Sequence, residues 1–317
     1  MSGSGASRSR ILAAFAAVYL VWGSTYLGIR FAVETIPPFL MGGVRFIIAG
    51  GALYLWMRMR GTPKPSRIEW RNTAIVGGFL ILGGNGGVVW AEQFVPSGVA
   101  ALLVAILPFW MVLIDWARPG GTRPGTGVVV GLVVGLIGLV VLIGPSALDP
   151  SSQSSAEAEA GNGVMLSGAI VLILASLSWA LGSIYSRHVT MPKSAFTATG
   201  MEMLCGGLLM STLSLIVGEP MRFDLADVSA RSIGAFVYLT TIGSLVGFTA
   251  YIWLLKVQPA ARVATYAYVN PVVAVFLGWA LAGEKLSLRT GIAAAIIIGA
   301  VALITTARSA SPPTESG

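Results

Sequence analysis

The segment ILAAFAAVYLVWGSTYLGI, residues 11–29, contains no charged side chain and is long enough to cross the hydrocarbon core of a membrane as a helix. It is also too long for the apolar core of a cleaved signal peptide, so we interpret it as a retained first membrane span. A second segment, VMLSGAIVLILASLSWALGSIYS at residues 164–186, has the same character in the middle of the chain. The two segments predict an all-α integral membrane protein.

The composition of the whole chain supports this fold class. Of the 317 residues, 55% are hydrophobic and 10% are charged, whereas soluble proteins carry about 25% charged residues. So few charges would not cover the surface of a soluble protein of this length. The formal net charge of +7 comes from Lys and Arg between the apolar segments, where membrane topology places them, so nucleic-acid binding is not expected.

Ten apolar segments of about 20 residues are predicted to be transmembrane helices. They are Ile11–Ile29, Phe39–Met57, Thr73–Ala91, Ser97–Ala117, Thr126–Gly144, Val164–Ser186, Phe196–Val217, Ser232–Leu255, Val263–Ala282 and Leu288–Ala307. If the N-terminus lies inside, 14 of the 20 Lys and Arg residues fall in inner segments and five in outer ones. This excess predicts that both termini are cytoplasmic and that the protein is a multi-pass component of the cell inner membrane.

An internal repeat divides the ten predicted helices into two sets of five. A shift of 157 residues superimposes Trp22 on Trp179, Arg30 on Arg187, and Gly50 on Gly207. A shift of 163 residues superimposes Gly84 on Gly247, Trp90 on Trp253, Pro96 on Pro259, Pro108 on Pro271, and Trp116 on Trp279. Because five is odd, the second set enters the membrane from the opposite side, which predicts two inverted repeats, an architecture of transporters.

The repeat predicts four regions. Residues 1–145 form the first repeat and residues 164–308 the second. Between them, residues 146–163 (SALDPSSQSSAEAEAGNG) contain no Lys or Arg and are predicted to be a flexible external linker. Residues 309–317 are predicted to be a disordered cytoplasmic tail.

Several motifs resemble those of the EamA family of the drug/metabolite transporter superfamily. They are Trp22-Gly23-Ser24-Thr25-Tyr26 in the first helix, Pro37-Pro38 followed by Arg45-Phe46 in the second, and Gly283-Glu284-Lys285-Leu286-Ser287 before the last. The first half departs from the pattern, with Asp115-Trp116-Ala117-Arg118 where a Gly-Glu turn is expected. The resemblance implies a ten-helix metabolite exporter, and the aromatic content resembles that of YddG-type amino-acid exporters.

Trp22 and Tyr26 lie one helical turn apart, and so do their repeat equivalents Trp179 and Ser183. Both tryptophans are well inside their spans, away from the interfaces where lipid-contacting tryptophans concentrate. These two matched faces are predicted to line a substrate cavity near the middle of the membrane. Helix packing and lipid contact are the alternative roles.

Further candidate binding residues lie beside glycines and prolines within the spans. Asn85 stands in the run Gly83–Gly87, and its counterpart region contains Ser244. Trp110 follows Pro108, whereas Tyr266 and Asn270 precede Pro271. A proline leaves a helical carbonyl without its donor, so it can create a binding position. Asn85 could instead bond a neighbouring helix, and the prolines could serve only as kinks.

Arg45 and Glu202 are the charges deepest within the predicted spans and are repeat equivalents. Charged residues inside a membrane usually have a function. Their depths differ by roughly 10 Å, at 1.5 Å per residue in a core about 30 Å thick, which argues against a simple salt bridge. Each is predicted to brace its own half or to gate one side, and Glu202 could carry a coupled proton.

The function predicted from these features is that of a secondary transporter, which exports small metabolites by alternating access. Amino acids with aromatic or other neutral, amphipathic character are the expected substrates, and a multidrug or cationic-compound exporter is the alternative. An integral membrane enzyme or a channel is the alternative from another class, but the chain has no HExxH or GxSxG motif. With one cysteine and one histidine, no metal or cofactor is expected, and the partners are the substrate, the bilayer and potentially a proton.

Overall fold

In a computed structural model of the chain, the described residues are 7–118, 123–143, 156–258, 263 and 265–309. The regular elements in these ranges are all helical, and a helix coincides with each apolar segment. The helices are α1 (Arg8–Ala32), α2 (Pro38–Met59), α3 (Arg67–Ala91), α4 (Ser97–Ala117), α5 (Thr126–Ile143), α6 (Ala156–Ser186), α7 (Ala195–Ile216), α8 (230–257), α9 (Tyr266–Ala282) and α10 (Leu288–Ser309).

Within the described residues, seven of these helices are long and apolar enough to cross a membrane, namely α1 to α4 and α6 to α8. The apolar parts of α5, α9 and α10 are shorter. The structure is therefore that of a helical membrane protein, and ten crossings stay a prediction.

The segment predicted as a flexible linker differs in part from the prediction. Helix α6 begins at Ala156, so residues 156–163 are helical, whereas residues 146–155 lie outside the described ranges. The sequence Ala-Glu-Ala-Glu-Ala at 156–160 explains the earlier start, because both residue types favour helix and acids are stabilising at a helix N-terminus. Most of the predicted tail, residues 310–317, also lies outside the described residues.

The helices pack in a pattern that is nearly unchanged when the two halves are exchanged. Helix α2 packs against α7, α5 against α10, and α4 against α9. Helix α1 packs against α8 and α9, and the equivalent α6 packs against α3 and α4. Likewise α3 contacts α7 and α8 contacts α2. Most of these contacts join one half to the other, so neither half has a separate core.

Three of the described helices depart from regular α-helical geometry. Helices α3 and α8 each contain a π-helical segment of eight residues, at Gly78–Asn85 and Leu239–Val246. Helix α4 is broken at residues 105–106, directly before the turn that contains Pro108, whereas α9 continues through Pro271. Because π segments often mark functional positions, the equivalent locations of the two π segments direct attention to the middle of α3 and α8.

Candidate functional site

Trp22 and Trp179 occupy equivalent positions, each against a glycine of the opposite half. A Cβ atom added to Gly247 of α8 would lie 2.5 Å from Nε1 of Trp22. A Cβ atom added to Gly84 of α3 would lie 2.9 Å from Cε3 of Trp179. The absence of a side chain at these glycines thus allows each indole to lie directly on the backbone of a partner helix.

In each π-helical segment next to these glycines, a side chain donates a hydrogen bond to the backbone of the same segment. Asn85 Nδ2 donates to the carbonyl of Leu80 at 3.2 Å, and Ser244 Oγ donates to the carbonyl of Leu239 at 3.0 Å. Both bonds reach five residues back along the chain, as π-helix geometry allows. Asn85 was predicted to bind a ligand or a neighbouring helix, but its amide nitrogen bonds within its own helix.

An aromatic cluster surrounds Trp22. Its ring lies 5.1 Å from the ring of Phe248, 5.0 Å from that of Tyr251 and 5.1 Å from that of Tyr266, measured between centroids. Tyr26 and Tyr266 are half-buried. Helices α1, α8 and α9 therefore meet around a group of aromatic side chains.

Asn270 links α9 to α1 by a hydrogen bond. With its amide oriented to suit its neighbours, its nitrogen donates to the backbone carbonyls of Tyr19 and Tyr266, each at 3.3 Å. Tyr19 and Thr265 also share a hydrogen bond of 2.5 Å between their hydroxyl groups. Asn270 is 8% exposed and holds the helices together, so its amide belongs to the frame of the aromatic site.

The remaining candidate residues, Asn85, Trp110, Trp179 and Ser183, form a second group on α3, α4 and α6. Trp110 Nε1 donates to Ser176 Oγ at 3.0 Å, which ties α4 to α6. Ser178 Oγ donates to the carbonyl of Phe79 in the π segment of α3 at 2.8 Å. Ser183 is half-buried one turn beyond Trp179. The candidate residues therefore lie on two equivalent sets of helices, and each set combines helices of both halves.

An apolar cavity of about 230 Å³ lies beside the second group, between α4, α5, α6 and α10. Phe109, Trp110, Leu136 and Ile173 are among its lining residues. Its wall offers no charged side chain, so it differs in chemistry from the polar positions around Tyr26 and Ser244.

Arg45 and Glu202 have different surroundings. Arg45 is 3% exposed, and its Nε donates to Ser244 Oγ of α8 at 3.1 Å. This contact joins the two halves, because α2 packs against α8. That Arg45 braces its own half or gates one side stays a prediction. Glu202 keeps some accessible area, and its carbonyl lies against Gly77 of α3.

The sequence interpretation missed Glu92, which directly follows α3. Its side chain is 0% exposed, and neither carboxylate oxygen has a hydrogen-bond partner among the described residues. It lies in electrostatic range of Arg45 and Tyr26. The predicted span ended at Ala91, one residue before Glu92. Its position next to Trp90 and Ala91, at the end of an apolar run, was the available signal.

The sequence matches the profile of the EamA-like transporter family twice, over residues 9–144 and 166–306. It is 37% identical over 296 residues to the uncharacterized inner membrane transporter YedA of Escherichia coli, covering 93% of this chain and 90% of that protein. It is 25% identical over 282 residues to the probable amino-acid metabolite efflux pump of Salmonella typhimurium, covering 85% and 88%. The fold is similar to that of a protein of known crystal structure. The superposition has a TM-score of 0.63 at 22% sequence identity, and it covers 95% of this chain and 100% of the other chain.

Proposed function

The chain belongs to the EamA-like transporter family, and we propose that it exports amino acids from the cytoplasm across the inner membrane by alternating access. Aromatic and other neutral, amphipathic amino acids are the proposed substrates. The central site between α1, α8 and α9 holds the substrate, together with the equivalent group on α3, α4 and α6. Both termini are cytoplasmic in this proposal.

The observation that carries the proposal is the pair of equivalent Trp–Gly contacts. Trp22 lies on Gly247 and Trp179 lies on Gly84, so each indole joins the two halves. A carrier that alternates between two sides needs matched contacts that can exchange roles as one half moves against the other. The nearly symmetric helix packing and the double match to one family profile support the same mechanism.

The walls of the site support amino acids as the substrate class. Trp22, Tyr251 and Tyr266 offer ring faces that pack well against an apolar side chain. Ring faces also attract an ammonium group, which every amino acid carries near neutral pH. The similarity to a probable amino-acid metabolite efflux pump agrees with this assignment.

Export of cationic drugs is a second candidate, because aromatic walls attract organic cations. A channel or a membrane enzyme is a weaker alternative, because the relatives are transporters by name.

Counterflow in proteoliposomes tests the function. Vesicles that contain the purified protein are loaded with one unlabelled amino acid and supplied with the labelled form, and organic cations are tested in the same way. We expect saturable exchange of aromatic amino acids. Exchange of organic cations alone would favour the second candidate, and exchange no faster than in protein-free vesicles for all amino acids would overturn the first.

Two substitutions locate the site. We expect Trp22→Ala and Trp179→Ala to lower kcat/KM for the exchanged amino acid at least several-fold, because each removes a wall of the cavity. Trp116→Ala is the matched control, since Trp116 is 52% exposed and should leave exchange unchanged. Equal kinetics in all three variants would remove the two indoles from the site.

A further inference from the structure

Glu92 is a fully buried acid with no hydrogen-bond partner for its side chain. It follows α3 on the side that the Lys and Arg distribution assigns to the outer solution. Its exposed fraction is 0%, and both carboxylate oxygens lie without a partner among the described residues. Such a group differs from the acids Glu219 and Glu284 on the same side, whose carboxylates each accept several hydrogen bonds.

The ionisable groups around Glu92 come from every neighbouring element. They are Arg30 and Tyr26 of α1, Arg45 of α2, and Glu284 before α10, and Arg45 in turn faces Tyr238 of α8. Arg30 Nη1 donates to backbone carbonyls, those of Glu92 at 3.3 Å and Gln93 at 3.5 Å, and not to the carboxylate. Glu284 accepts from the backbone and hydroxyl of Ser97.

Among the described residues, Arg30 and Arg45 are the two cations near Glu92, and Arg45 is the one that has a buried donor without a hydrogen-bond partner. Its Nε is bonded to Ser244, and its Nη1 has no hydrogen-bond partner. The guanidinium and the carboxylate therefore attract each other at a distance without forming a salt bridge. A buried ion pair offsets its desolvation only when the geometry is good and the remaining positions are hydrogen-bonded, which is not the case here.

An ionised Glu92 would thus be costly in this conformation. Removing a carboxylate from water costs several kcal/mol even after the protein relaxes, and the charges of Arg30 and Arg45 together with a backbone contact of Arg30 offset only part of this cost at Glu92. A neutral carboxylic acid avoids most of the penalty. If α1, α2 or α8 moved away at this end, water would reach the carboxylate and the ionised form would become favourable.

We propose that Glu92 is a proton-binding site that controls the outer side of the carrier. When the outer ends of α1, α2, α3 and α8 close, a hydronium ion of the outer solution gives one proton to a Glu92 carboxylate oxygen. One O–H bond of hydronium breaks, one O–H bond on Glu92 forms, and water is left. Opening returns the proton to water in the reverse step. The inference rests on the proposed transport function, and it assigns proton binding to Glu92 and not to Glu202, which keeps accessible area in the same conformation.

Infrared spectroscopy of the purified protein in lipid tests the proton directly and needs no substrate. A protonated carboxyl group gives a C=O stretch that an ionised carboxylate lacks. We expect this band in the wild type at neutral pH and its loss in Glu92→Gln. The matched variants Glu202→Gln and Glu34→Gln should keep it, since Glu34 is a partly exposed acid of the same side.

Cysteine labelling tests whether loss of the proton from Glu92 opens the outer side of the protein. In a Cys205→Ser background, a cysteine is placed at Ala32, which is 0% exposed near the outer end of α1. On raising the pH, we expect the band to disappear as a membrane-impermeant maleimide begins to react. In Glu92→Gln, which stays neutral, labelling should remain slow at all pH values.

Three results would overturn the proposal: no carboxyl band in the wild type, a band removed only by Glu202→Gln, or labelling whose pH dependence survives in Glu92→Gln. If Glu92→Gln does not fold, Glu92→Asp keeps the acid and should shift the band, and an unshifted band would count against Glu92. None of these measurements uses a transported substrate. The proton site can therefore be disproved while the transport function stands, and the transport function can be disproved while the proton site stands.

Discussion

Gly247 has no side chain because the indole of Trp22 occupies the space where one would lie. We expect Gly247→Ala to displace that indole, since the added carbon would stand 2.5 Å from Nε1. Overpacking of this kind costs about 1–3 kcal/mol, so both the unfolding midpoint and the exchange rate should fall. Circular dichroism during denaturation and counterflow measure the two effects.

Two further variants isolate the cause. Gly234→Ala lies on the same helix with nothing within 4 Å of the added carbon, so its unfolding midpoint should match or slightly exceed that of the wild type and its exchange rate should be unchanged. Adding Trp22→Phe to Gly247→Ala should recover part of the lost stability, because the smaller ring leaves space for the methyl group. If Gly234→Ala were as harmful as Gly247→Ala, the indole contact would not be the reason.

The sequence predicts many of the site residues because their signals are local. Trp22 and Tyr266 are aromatic and Asn270 is polar inside apolar runs, and the structure brings all three together. Glu92 could not be predicted in this way. Its burial depends on groups far away in the sequence, such as Arg45 and Glu284, and hydropathy gives only its position at the end of an apolar run.

Among the helix pairs, α2 and α7 approach each other through equivalent glycines. A Cβ atom at Gly50 would lie 2.5 Å from the backbone nitrogen of Leu204, and one at Gly207 would lie 2.8 Å from that of Ile47. We expect Gly50→Ala to destabilise the protein by about 1–3 kcal/mol, because backbone cannot move aside as a side chain can. Gly51→Ala is the control, since nothing lies within 4 Å of its added carbon.

Thermal unfolding in detergent compares these two variants. The midpoint of Gly50→Ala should fall, whereas Gly51→Ala should match or slightly exceed the wild type, because Ala favours helix over Gly by about 1 kcal/mol. Equal midpoints would show that the two helices can separate without cost.

The Gly283-Glu284 turn has a physical explanation at the level of two helices. Gly283 ends α9 with a φ of 66°, a conformation that favours glycine. The Glu284 carboxylate then accepts from the backbone nitrogens of Ser97 at 2.7 Å and Gly98 at 3.1 Å, which caps α4. The turn thereby links a helix of the second half to the start of a helix in the first.

We expect Glu284→Gln to lower the unfolding midpoint measurably, since hydrogen bonds to charged groups contribute about 1.5–3 kcal/mol each. Glu34→Gln is the control, because the 3.6 Å contact of Glu34 with Arg231 is partly exposed and such pairs contribute about 0–1 kcal/mol. A Glu284→Gln protein as stable as Glu34→Gln would show that the cap does not stabilise α4.

At this level, hydropathy predicts where helices lie but not their internal geometry. The π segments at Gly78–Asn85 and Leu239–Val246 give no periodic signal, because they depend on donors such as Ser178 from a packed neighbour. The early start of α6 at Ala156 was missed for another reason, since the polarity of residues 156–160 obscured their helix preference.

For the whole molecule, the nearly symmetric helix packing connects the repeat in the sequence to the proposed mechanism. Exchanging the halves maps the contact of α1 with α8 onto that of α6 with α3, and leaves the pairs α2–α7, α4–α9 and α5–α10 in place. If the halves are inverted in the membrane, the same exchange converts a conformation closed on the outer side into one closed on the inner side.

Inversion requires that the turn after α2 and the turn after α7 lie on opposite sides, because the two helices are repeat equivalents. Labelling can test this in a Cys205→Ser background with one cysteine at Gly61 or one at Met221, which is 91% exposed. In intact spheroplasts, we expect a membrane-impermeant maleimide to label Met221→Cys and not Gly61→Cys. After lysis both should react, which controls for their reactivity. Labelling of both in intact cells would contradict inversion, since α2 and α7 would then cross the membrane in the same direction.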